Sequence, residues 1–280
     1  MKPDSRFASL GPDFWAHVKL VSEKLGYSTR KTRASQAGLR MYTIEEVEKC
    51  LADLGLRTSH LVHASTKAAS ADGKRLVEYL NHRRELLMQC AEPNLMDRDA
   101  ARKVFEELRK RLKPRCALPM NKQKGKKRHH AYMVGIVNML TEQTLAGREF
   151  CAEPRGLCVA TKDDAPVRTF SRWMDGAYPG VVNPQAVWEV KEYYGTTTFG
   201  SRVADGVYET MLDGHEFAEY AEHGKKIRHY LIVDDHFTWW AKGRTYLCRI
   251  VDMMHVGLVD EALFGREVLT RWPEIVKSWP

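Results

Sequence analysis

Between Val187 and Lys191 the chain reads apolar, apolar, acid, apolar, base. In an extended strand alternate side chains share a face, so Trp188 and Val190 point one way while Glu189 and Lys191 point the other. A short apolar stretch (Phe170, Trp173, Met174) leads into Asp175-Gly176 and predicts a neighbouring strand, with Tyr178-Pro179-Gly180 and Asn183-Pro184 as hairpin turn chemistry. Tyr230–Val233 predicts a buried strand ended by Asp234-Asp235. Helical patterns surround these segments. Pro12 and Gly26 bracket one helix, and the capping box Thr43-x-x-Glu46 opens a second that stops at Gly55. Further helices are expected over Lys74–Cys90 and Asp97–Leu112, with Pro93 and Pro114 as boundaries, then over Arg202–Leu212 and Tyr246–Leu263, the last ending near Gly265.

The order of these elements predicts an α/β (mixed α+β) fold: a central mixed sheet flanked by helices, preceded by an all-helical domain. With 280 residues, 44% of them apolar, the chain can build two ordinary cores. The expected division is a helical domain at 1–115, a basic linker or arm at 116–130, and the sheet-containing domain at 131–280.

Charge singles out the middle segment. Residues 101–130 hold twelve Lys/Arg against two Glu, a local +10 in a chain of net +8, so the remainder carries about −2. Such a concentration is an electrostatic footprint for phosphates, and Lys122, Lys124, Lys126, Lys127 and Arg128 read as a basic arm against a nucleic-acid backbone. A solubilising linker, or a patch for another polyanion, is an equal reading of the same residues. Six scattered cysteines without a Cys-x-x-Cys pair suggest reduced thiols, and His215-Glu216 lacks the second histidine of a zincin. Trp239-Trp240 reads as core, with base stacking or an interface as the alternative. No transmembrane run or secretory signal is evident, and a cytoplasmic protein without a membrane partner is expected.

The chemistry lies on the polar face of the Val187–Lys191 strand. A carboxylate and an ammonium rarely share a face of so apolar a strand unless something offsets their desolvation, and a metal with a phosphate would do so. Asp175, beside a glycine that leaves backbone room, supplies a second acid from the adjacent strand. The bland alternative is a surface ion pair on an edge strand, which stabilises little. Asp72-Gly73-Lys74 has the same acid-x-Lys spacing but no apolar strand and no partner acid before it.

Asp175 with Glu189-Val190-Lys191 resembles the motif of the PD-(D/E)XK nuclease superfamily, in particular its type II restriction endonuclease branch. The resemblance covers about residues 130 to 265, and Met174 stands where the motif has proline. It implies a restriction-endonuclease-like sheet, making 131–280 the nuclease domain and 1–115 a DNA-recognition or dimerisation domain. It further implies magnesium held by Asp175, Glu189 and the Val190 carbonyl, with Lys191 orienting the attacking water. Glu142, on the helix before the strands, is the candidate for a further acid, a solvated helix residue being at least as good a reading. Thr197, Thr198, Ser201 and Arg202 lead into a helix whose N-terminus favours phosphate, although Thr198 or Ser201 as simple caps explains them equally well. The expected activity is magnesium-dependent, sequence-specific hydrolysis of duplex DNA by a homodimer. The alternatives are a structure-directed repair or phage-defence nuclease, and a non-catalytic nucleic-acid-binding regulator.

Overall fold

The computed structural model describes residues 1–8, 10–29, 38–121, 124–125, 128–194, 200–222 and 224–280. Its first part is nearly all helical: α1 (Ser5–Ala8), α2 (Pro12–Leu25), α3 (Ile44–Asp53) and α4 (Ala71–Leu86), with a two-residue antiparallel pair of β1 (Ser28–Thr29) and β2 (Gly38–Leu39). The predicted caps form. The Thr43 hydroxyl accepts from the Glu46 N–H while the Glu46 carboxylate accepts from the Thr43 N–H, satisfying two orphan donors of α3. Phe7, Val18, Val21, Val47, Leu76 and Tyr79 form the core of this part.

The second part is built on a four-stranded mixed sheet in the order β5 (Gly176–Tyr178), β6 (Ala186–Glu192), β7 (Arg228–Asp234), β8 (Glu261–Phe264). β5 pairs antiparallel with β6, closing the hairpin expected from the turn residues, and β6, β7 and β8 run parallel. A separate hairpin joins β3 (Val159–Lys162) to β4 (Ala165–Thr169). One sheet face packs through Trp188, Val190, Tyr230, Ile232 and Leu263 against α5 (Arg98–Leu112), α6 (Tyr132–Leu145) and α9 (Val268–Lys277). The other packs through Leu231, Val233, Ala262 and Phe264 against α7 (Ser201–Ala221) and α8 (Arg244–Val256). Strand alternation therefore sets Trp188 and Val190 in the core of one layer and sends Glu189 and Lys191 toward α7, as the sequence pattern predicts.

Three boundaries differ from expectation. The pattern over Tyr246–Leu263 divides: α8 ends at Gly257, which takes the left-handed conformation at φ 91°, and Glu261–Phe264 becomes the edge strand β8. All four β8 residues are buried, and so short an apolar run fits a buried strand or a helix turn equally well. α7 runs nine residues past Leu212, to Ala221. α5, which a division at residue 115 puts with the helical part, packs against α6 in the sheet layer; a Cβ on Gly135 of α6 would come 2.4 Å from the Phe105 ring of α5. The two parts meet through Arg83 of α4, buried and paired with Asp252 of α8 at 2.9 Å, and through the Tyr79 hydroxyl, which donates to the same carboxylate at 2.7 Å. Trp239 and Trp240 are both buried, so the core reading holds for this pair.

Candidate active site

Asp175 immediately precedes β5 and, by the register that sets Gly176 against Trp188, falls opposite Glu189. Its N–H donates to the Trp188 carbonyl at 3.0 Å, and its carboxylate accepts from the Val190 N–H at 2.8 Å. The N–H and C=O of one strand residue leave on the same side, so the Val190 carbonyl also faces the Asp175 side of β6. The adjacent glycine is required here: a Cβ at Gly176 would lie 2.0 Å from the Trp188 ring, which crosses directly over that position. Trp188 is itself fixed edge-on to Trp272 at 5.4 Å and stacked on Trp279 at 5.6 Å.

Glu189 is 2% exposed, and three donors on different elements surround it. The Lys191 ammonium lies 3.2 Å from it, Arg172 Nη2 3.1 Å, and the Thr210 hydroxyl of α7 donates to it at 2.9 Å. Lys191 also pairs with Glu209 of α7 at 3.1 Å, and its stem passes Gly206, where an added Cβ would already touch Lys191 Cδ at 3.5 Å. Arg172 spans the group, reaching Glu209 at 2.8 Å and Asp213 at 3.2 Å. Desolvation opposes charge on Glu189, Lys191, Arg172 and Asp213, but opposite charges outweigh it at Glu189, Lys191 and Arg172. Lys191, His229 and Arg172 hold the Glu189 carboxyl below the usual range, while Glu189, Asp175 and Glu209 raise the Lys191 ammonium above the ordinary lysine value. Asp213 is the exception, pushed up to about 7 by burial and by the like charge of Glu189.

Asp175, Glu189, Lys191, Arg172 and Glu209 line a cleft of about 940 Å³, together with Val190, Glu192, Trp173, His129 and Arg202. Glu192 and Asp234 form a second acidic pair at the carboxyl ends of β6 and β7, in register with each other. The Met133 N–H at the start of α6 donates to Glu192 at 2.8 Å, and the Met96 N–H donates to Asp234 at 2.7 Å. Burial pushes Glu192 up to about 8 and Asp234 up to about 7.

The remaining predicted residues divide. Lys124 and Arg128 are exposed on a segment closed by the Met120–His130 bridge and by the Asn121 N–H, which donates to the His129 carbonyl at 2.8 Å. Because Met120, Asn121 and His129 also line the cleft, the basic arm is rooted at its rim. Lys122, Lys126, Lys127, Thr197 and Thr198 lie outside the described residues. Ser201 is exposed as the first residue of α7, and Gly200, not Ser201, holds its cap position. Glu142 does not join the site: its carboxylate accepts the Arg115 N–H at 3.0 and 3.1 Å, and it does not line the cleft. It stands late in α6, whereas Ala131 and Val134, at the helix start, are the cleft residues. Sequence reasoning missed Arg172, Glu209, Thr210 and Asp213. A signal existed for the last two, because they fall in the buried stripe of α7 with Val203, Val207 and Phe217.

Asp175 and Glu189, opposite each other in the strand register, and the Val190 carbonyl are hard-oxygen donors of the kind magnesium takes, an ion that keeps waters and binds one or two protein carboxylates with substrate phosphates. Among the described residues no three His, Cys, Asp or Glu side chains converge to hold a metal ion. Residues 96–279 match the model of a family described as Domain of unknown function (DUF7687). The chain belongs to that family. Residues 1–90 match a second model, Domain of unknown function (DUF7690). No curated protein and no solved structure matches the chain. The DUF7687 region contains the whole sheet, both acidic groups and the basic arm, and its start near residue 96 coincides with α5 packing into the sheet layer. No helix among the described residues is long and apolar enough to cross a membrane.

Proposed function

We propose that this chain is a magnesium-dependent endodeoxyribonuclease that hydrolyses phosphodiester bonds in duplex DNA at a defined sequence, acting as a homodimer in the manner of type II restriction enzymes. One observation carries the reading: Asp175, immediately before β5, stands opposite Glu189 of β6, with the Lys191 ammonium 3.2 Å from Glu189, on the wall of a cleft that Arg155, Arg172 and Arg202 also line. Magnesium bound to this pair would polarise the scissile phosphate and lower the pKa of an attacking water.

The chain's own groups do the rest. Asp175 is held by the Val190 N–H, so its carboxylate is oriented before any ligand arrives. Lys191, charged and fixed between Glu189 and Glu209, would orient the water and place positive charge beside the phosphorus as negative charge develops there. Water adds to phosphorus and releases a proton to solvent, the bond from phosphorus to the 3′ oxygen breaks, and that oxygen leaves as a hydroxyl with a proton drawn from solvent, the new phosphate remaining on the 5′ side. Lys124 and Arg128, exposed on the segment between cleft residues Asn121 and His129, and Arg202 in the wall, would bear on the flanking phosphates. Twofold-symmetric sites would be cut by two symmetric copies.

Incubating purified protein with supercoiled plasmid and magnesium separates the readings. Sequence-specific cleavage gives discrete fragments, structure-directed cleavage gives nicks or smears, and a non-catalytic regulator gives only a gel shift.

A further inference from the structure

Arg172 makes contacts that a purely catalytic reading of Asp175, Glu189 and Lys191 does not use. Its Nη2 lies 3.1 Å from Glu189 Oε1 and 2.8 Å from Glu209 Oε2, while its Nε donates to Asp213 Oδ2 at 3.2 Å. Glu189 Oε2 is taken by Lys191 and Thr210, so Oε1 is the oxygen left for a metal, and Arg172 sits on it. Unlike Glu189, Arg172 is not locked inside: its side chain is 25% exposed and it lines the cleft, beside Trp173, which is 58% exposed.

We infer that Arg172 competes with the divalent cation for Glu189 and is drawn off by a substrate phosphate, so that metal and DNA load the site cooperatively. The inference rests on the nuclease reading above. A guanidinium and a dication at contact distance on the same carboxylate oxygen repel each other as like charges, so each weakens the other's hold on it. A phosphodiester in the cleft offers the guanidinium an alternative anionic partner of matching fork geometry. Moving Arg172 onto it leaves Glu209 paired with Lys191 and exposes Glu189 Oε1 to the metal. By linkage the effect is reciprocal: DNA raises metal affinity by the factor by which metal raises DNA affinity. Arg172 is thus a positioning residue that ties metal binding to the presence of substrate.

The test is manganese binding to the full chain, read by the loss of the free-ion electron paramagnetic resonance signal, with and without a phosphorothioate duplex that resists cleavage. Arg172→Gln is expected to bind manganese about tenfold tighter than wild type without DNA, the factor set by one charge-assisted hydrogen bond. The duplex should tighten wild type by a similar factor and the variant hardly at all. Equal or weaker manganese binding by Arg172→Gln in the absence of DNA overturns the inference. Should that variant fail to fold, Arg172→Lys keeps a cation that cannot span three carboxylates, and intermediate tightening is expected; affinity at or below wild type again refutes the competition. The two levels fail differently. If wild type binds manganese and Glu189→Ala does not, but neither Arg172 variant gains affinity, the metal site stands and the competition falls. If no form binds manganese with or without duplex, the nuclease reading falls and takes this inference with it.

Discussion

Replacing Lys191 by methionine removes the ammonium and keeps an unbranched stem of similar length. The wild-type ammonium makes two ion pairs, at 3.2 Å to Glu189 and 3.1 Å to Glu209, on a side chain only 12% exposed. Deleting one partner of a buried pair costs several kcal/mol when it strands the other charge. Neither partner is stranded here, because Glu189 keeps Arg172 at 3.1 Å and the Thr210 hydroxyl at 2.9 Å, and Glu209 keeps Arg172 at 2.8 Å. The expected loss is therefore that of a charge-assisted hydrogen bond, about 2 kcal/mol. For a domain of this size that lowers the melting temperature by roughly 4–8 °C. Thermal unfolding followed by circular dichroism reads the stability, and plasmid cleavage with magnesium reads the chemistry on the same preparation. The expected variant is folded, modestly destabilised and inactive. A fully stable variant that still cuts would remove Lys191 from the mechanism, and an unfolded one would make the lysine a structural keystone instead.

Two other predictions involve different parts of the chain. Neutralising Lys122, Lys124, Lys126, Lys127 and Arg128 together should weaken DNA binding and flatten its dependence on salt, by a slope of about 0.9 for each phosphate the arm no longer neutralises; an unchanged slope in a salt titration would take the arm out of the interface. Asp234, fully buried, has its pKa pushed up to about 7 by desolvation. A raised carboxyl binds its proton more tightly folded than unfolded, so its contribution is fully present below the ordinary aspartate value and is lost as pH rises through about 7. Asp234→Asn should reduce the fall in urea stability between pH 5 and pH 8, and an unaltered slope would show that Asp234 is ionised throughout.

The hairpin that holds the site was legible because its determinants are local. Alternation between Val187 and Lys191 fixes which side chains face α7, and turn residues after Tyr178 fix the partner strand. Gly176 announced close packing but not its cause, since the Trp188 ring is brought there only by strand pairing. Other features depend on contacts distant in sequence. Arg172 and Glu209 look like surface charges until the fold sets them around one carboxylate. Glu142 is a candidate because the resemblance implies a further acid on the helix before the strands, yet it stands near the end of that helix opposite the cleft residues Ala131 and Val134. The short run Glu261–Phe264 carries no period to separate strand from helix, and its pairing with β7 decides the matter.

The most direct measurement is end-sequencing of a mapped plasmid after incubation with magnesium and either the wild-type chain or the single variants Asp175→Ala, Glu189→Ala and Lys191→Ala. A metal-dependent nuclease built on these three residues predicts defined ends from the wild type and none from any variant, each of which still shifts DNA on a gel. Intact plasmid with the folded wild-type protein, or the same ends from two of the three variants, would contradict it.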